Sequence, residues 1–166
     1  MENENAFDKA VEFLCTIGIE VKFQPIDTNT FLPGVSIEGG HIIVDKEKMK
    51  YPGDILHEAG HIAVVPSADR RSINEQSIAE RKDRNAEEMM AIAWSYAVCV
   101  HLNIDPGFVF HDNGYKGGGS SIADNFKQGH YFGVPMLQWV GMTLDEKNAL
   151  EKGLPAYPAM TTWMRD

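Results

Sequence analysis

The chain has little cysteine, and no disulfide framework can be built from the two residues present, Cys15 and Cys99. Both fall within apolar stretches, the pattern of small buried thiols in a reducing compartment, so a cytoplasmic location is expected. No apolar run approaches the roughly 18 residues that a bilayer-spanning helix needs. The first residues, Met1-Glu2-Asn3-Glu4-Asn5, are acidic where a secretory leader would be basic, which predicts neither export by that route nor insertion in a membrane. Positive charge is also in short supply: 15 Lys and Arg against 24 Asp and Glu leave a formal net charge of −9. Such a chain is repelled overall by phosphate backbones and anionic lipid, so no nucleic-acid or membrane partner is expected. Internal repeats, low-complexity tracts and interdomain linkers are missing as well.

What is present is ordinary for a globular protein: 166 residues, 43% hydrophobic and 23% charged. That length suits one domain over residues 1–166 with a single core. Phe7, Val11 and Leu14 repeat at helical spacing before Gly18, predicting an amphipathic helix over residues 6–17. Strict alternation in residues 19–24 predicts a half-buried strand ended by Pro25. Val35-Ser36-Ile37 and His41-Ile42-Ile43-Val44, joined by Glu38-Gly39-Gly40, read as a hairpin with a three-residue turn. A helix is expected between Pro52 and Pro66, and a second from Glu88 to Leu102, apolar nearly all round and hence enclosed. Two capping patterns compete for the start of the latter, Ser72 with Glu75 and Asn85 with Glu88. Further on, a helix is expected over residues 121–132, Gly117-Gly118-Gly119 as a flexible loop, and a short helix between the Thr143–Glu146 box and Gly153. The expected fold class is α+β, a small antiparallel sheet packed on helices.

His57-Glu58-Ala59-Gly60-His61 is an H-E-x-x-H segment in the first of the two central helices. Spacing of i, i+4 puts both imidazoles on one face a turn apart, able to grip one Zn²⁺. The carboxylate of Glu58, between them, is placed to take a proton from a water acidified by that metal and to deliver it to a leaving amine. A catalytic zinc needs a third protein ligand, and Glu87 and Glu88 are the candidates, since a carboxylate beside so apolar a helix is costly unless paired or metal-bound. Periodicity does not choose between them. Asp69, Glu80 and Asp83 are outside alternatives.

At these residues the chain resembles the zinc metallopeptidases of the ImmA/IrrE type, which cleave repressors or govern stress regulators. The resemblance spans roughly residues 19–100 and implies a zincin-like fold: a small sheet, an active-site helix with glycine before the second histidine, here Gly60, and a following helix. It also implies a glutamate about 27 residues past that histidine as the third ligand, which selects Glu88. An Asn85 N-cap would agree by placing Glu88 at the third helical position. The family's usual Ala-Asn-x-Phe-Ala after this glutamate is here Met89-Met90-Ala91-Ile92-Ala93, matching at Ala93 alone. The implied activity is hydrolysis of peptide bonds in a protein or peptide substrate, and any regulator lies on another chain. The alternative is a metal-bearing regulatory module with a zincin core and no useful protease activity, docking a peptide along the hairpin edge.

Other features weigh less. His130-Tyr131, and after it Tyr115, could donate to the oxyanion formed in hydrolysis. His101 and His111 read as structural or surface residues.

Overall fold

The computed structural model describes residues 2–166. Among the described residues, seven α-helices and a three-stranded sheet make an α+β arrangement. Helix α1 (Glu2–Thr16) buries Phe7, Ala10 and Leu14 and ends where Gly18 turns at positive φ. Strands β1 (Val21–Phe23), β2 (Val35–Glu38) and β3 (His41–Val44) follow, with β3 in the middle of the sheet.

The expected antiparallel sheet is mixed. β2 and β3 form the hairpin, with Val35 opposite Val44 and Glu38 opposite His41, whereas β1 runs parallel to β3 with Val21 opposite Ile42. Nothing in the alternation of a single strand encodes its partner's direction, which depends on how helix α1 and the long connection return the chain to the sheet. The hairpin turn is also shorter than predicted, because Glu38 pairs with His41 and leaves Gly39-Gly40, both at positive φ, as a two-residue turn of the kind that matches strand twist. The outer edge of β2, the expected docking edge, is already met at Glu38 by a bridge to Asn74.

Helix α2 (Asp54–Val64) is buried along almost its whole length, packed on the sheet on one side and on helix α4 (Arg84–Leu102) on the other. Gly60 permits that crossing: a Cβ there would stand 2.9 Å from the Ala91 carbonyl oxygen and 3.0 Å from its Cβ. Buried Ser95 links the same two helices, donating to the carbonyls of Ala91 (2.8 Å) and Leu56 (3.1 Å). The C-terminal segment wraps α4, where fully buried Trp94 donates to the Trp163 carbonyl and Tyr157 to the Ala93 carbonyl.

None of the three expected capping boxes, Ser72 with Glu75, Asn85 with Glu88 and Thr143 with Glu146, is used. Short helix α3 (Glu75–Glu80) starts from Asn74, whose Oδ1 accepts from the Ser77 N–H while its own backbone N–H donates to Ser77 Oγ. Helix α4 starts at Arg84, after Asp83, so Asn85 lies inside it. Beyond it, α5 (Gly119–Lys127) ends earlier than expected, and α6 (Val134–Trp139) forms past Gly133 with Pro135 in its first turn, where proline needs no N–H. Helix α7 (Glu146–Lys152) is capped by Asp145 and closed by Gly153. Cys15 is exposed, contrary to expectation, while Cys99 is buried. Among the described residues no helix is long and apolar enough to cross a membrane.

Candidate metal centre

One turn of α2 presents His57 and His61 side by side, their Nε2 atoms 3.3 Å apart and their rings perpendicular. Across the α2–α4 crossing, Glu88 brings Oε2 to 3.0 Å from His61 Nε2 and Oε1 to 3.8 Å from His57 Nε2. Ligand atoms held about 2.0–2.1 Å from one tetrahedral ion stand about 3.3 Å apart, so the two Nε2 atoms have the spacing of one tetrahedral edge, and one donor atom from each of the three residues lies within 4.8 Å of the others. The cluster can hold a metal ion.

Protonation of two of the donors suits ligation, whereas at His61 burial, which lowers the pKa, is outweighed by the Glu88 hydrogen bond and the surrounding carboxylates, which raise it. Burial, reinforced by the neighbouring His61, pushes His57 down to about 4 and keeps it neutral with a free lone pair. Burial works to raise the Glu88 carboxyl, but the His61 hydrogen bond and both imidazoles outweigh it and hold the group below the usual carboxylate range. The two imidazoles are largely withdrawn from water beside a carboxylate that is 42% exposed, and a divalent ion would satisfy all three.

The other nitrogen of His57 is held from outside the motif. Tyr115 Oη lies 2.9 Å from His57 Nδ1, and with a metal at Nε2 the Nδ1–H would donate to the phenol. Burial raises the Tyr115 hydroxyl well above its ordinary value, keeping it neutral. Tyr115 occupies positive φ in the turn Tyr115–Gly117, so the glycine-rich segment expected to be a flexible loop begins with a residue tied to the site. Sequence reading ranked Tyr115 last among donors and missed this contact. Its signal, an aromatic residue followed by glycines, does not say where the turn lands.

Glu58 is only 6% exposed and lines the same cleft as the two histidines and Glu88, without belonging to the ligand cluster. Burial pushes its carboxyl up to about 7, against the pull of His61, so the group is set to exchange a proton near neutrality. The cleft encloses about 390 Å³.

Glu87 is separated from this centre. It is buried, and Arg81 grips it bidentately, donating Nε to Oε2 at 2.7 Å and Nη2 to Oε1 at 2.9 Å, with a further bond to Asp69. That pair answers why two carboxylates open an apolar helix: one faces the metal centre and the other an arginine. Of the remaining alternatives, Asp69 shares Arg81, Glu80 accepts from Gln76 and Asp83 precedes α4. His130 is exposed and Tyr131 packs on Tyr157 and Phe126, outside the cleft. His101 packs on Phe13 and Trp163, as a structural residue does.

A second imidazole–carboxylate pair, unread in the sequence, adjoins the centre. Asp54, one turn before His57, lies 2.9 Å through Oδ1 from His111 Nε2, and the His111 ring stacks on Tyr51. Burial raises the Asp54 carboxyl despite that bond. No protein-family model matches this chain, and no curated protein or solved structure matches it either.

Proposed function

We propose that the protein is a zinc-dependent peptidase of the zincin type, similar to the ImmA/IrrE metallopeptidases. The observation that carries this reading is the division of labour among the acidic groups of one cleft: Glu88 completes a three-donor cluster with His57 and His61, and Glu58 stands beside that cluster, buried and outside it. A site built only to hold a metal has no use for the fourth group.

His57, His61 and Glu88 would hold the ion. Zinc in that position supplies Lewis acidity and lowers the pKa of water toward neutrality. Glu58 accepts the proton of the attacking water at its carboxylate and passes it to the nitrogen of the leaving amine. Its raised affinity for protons matches both transfers, since a carboxylate at its ordinary pKa is too weak a base at neutral pH. Tyr115 holds the His57 ring at fixed rotation and tautomer. The crossing at Gly60 and Ala91 fixes the distance between the two histidines and the glutamate.

The test is cleavage of a diverse peptide library by protein loaded with one zinc per chain, against Glu58→Gln. Wild type is expected to cleave and Glu58→Gln to retain zinc without turnover. Stoichiometric zinc with no cleavage of any peptide would favour the metal-bearing binding module instead.

A further inference from the structure

The cleft over the metal centre does not end there. Phe31, a large apolar side chain 85% exposed, lines both it and a neighbouring hollow of about 380 Å³ over Asp54, His111 and Tyr115. The two hollows, which share Phe31 and whose linings meet at the Tyr115–His57 hydrogen bond, make up one trough.

The charges along this trough run against those of the whole molecule. Apart from the candidate ligand Glu88, whose side chain is 42% exposed, its exposed charged side chains are Arg84 at the metal end and Lys50 and Lys116 at the other, cationic on a chain of net charge −9. The carboxylates that line it are set back from the cations: Glu88 belongs to the ligand cluster, Asp54 meets His111 through Oδ1, Glu75 is half-buried, where burial raises its carboxyl, and Glu58 is buried. Among the described residues none of the three cations forms an ion pair, whereas Arg81 is consumed by Glu87 and Asp69. Arg84 is anchored by donating Nη1 to the Ala79 carbonyl at 2.7 Å, which leaves its other donors for a guest. Three unpaired cations flanking an exposed aromatic ring would repel a basic peptide and attract an acidic one.

We infer that the substrate is an acidic peptide segment, its carboxylates set against Arg84 at one end and Lys50 and Lys116 at the other, with an apolar side chain between them on Phe31. This rests on the peptidase reading, so its test measures binding separately from turnover. Zinc-loaded Glu58→Gln is titrated into three short fluorescein-labelled peptides that share a central leucine and differ in their flanks: glutamate, glutamine or lysine. The glutamate peptide is expected to bind about tenfold more tightly than the glutamine one, with the advantage shrinking as salt is raised. Adding Arg84→Glu, Lys50→Glu and Lys116→Glu together should reverse the order of the three peptides, with circular dichroism unchanged because all three side chains are exposed. Equal binding of the three peptides, binding of none, or an acidic preference that survives the triple reversal overturns the inference. So does equal competition by a single-stranded oligonucleotide of the same charge. In parallel, wild-type protein is offered the same peptides. Selective binding without cleavage would count against the peptidase reading alone, and cleavage without charge preference against the inference alone.

Discussion

Tyr115 Oη and His57 Nδ1 stand 2.9 Å apart, joining a turn after α4 to the first histidine of α2 across 58 positions of sequence. Through this contact the glycine-rich segment touches an imidazole of the candidate metal cluster. Tyr115→Phe removes the partner while keeping the ring. Zinc affinity is expected to fall about 10–100-fold with little change in thermal stability of the metal-free protein, measured by competition with a chromogenic chelator.

Glu87 and Glu88 are adjacent, and their alanine variants should fail in opposite ways. Glu88→Ala removes a ligand, so zinc binding collapses while the metal-free fold persists. Glu87→Ala leaves the ligand cluster intact but strips the half-buried Arg81 guanidinium of its bidentate partner, costing about 3 kcal/mol of stability. Metal titration and chemical denaturation of the two variants check this. A larger loss of zinc affinity for Glu87→Ala would contradict the assignment.

Glycine to alanine inside a helix ordinarily stabilises it by about 0.5–1 kcal/mol. At Gly60 the sign should reverse, because the new methyl meets the backbone of Ala91 at 2.9–3.1 Å and forces α2 and α4 apart. Gly60→Ala is expected to lose about 1–3 kcal/mol of stability and to weaken zinc binding, since the same separation carries Glu88 away from the histidines. Ala91→Gly does not relieve the backbone part of the clash, so rescue by it should be incomplete.

Asp45 gives a pH dependence independent of the metal. Its carboxylate accepts from the N–H groups of Ile26 and, more weakly, Glu47 and Lys48, and the Ile26 bond leads in holding it below the ordinary carboxylate range. A folded pKa below the unfolded one means stabilisation present above the ordinary value of about 3.9 and lost as pH falls through the lower folded value. Asp45→Asn should therefore melt below wild type at pH 7, and the gap should close in strong acid. Melting curves recorded with a chelator present measure the two variants free of metal effects.

Much of this protein is set within single stretches of its sequence. The i, i+4 spacing of His57 and His61 makes them neighbours on any helix, and Pro52 and Pro66 bracket the helix that carries them. The hairpin of β2 and β3 follows from local alternation and two glycines able to take positive φ. The burial of α4 follows from its lack of a polar face. Tertiary structure decided the rest, because it depends on contacts between positions far apart in the chain. Glu88 rather than Glu87 faces the histidines because α4 crosses α2 at Gly60 and because Arg81, arriving from the end of α3, claims Glu87. Tyr115 reaches His57, His111 reaches Asp54, and β1 joins β3 in parallel only once the intervening chain has packed. Local periodicity reports which face of an element is apolar, and it carries no information on which distant side chain will meet that face.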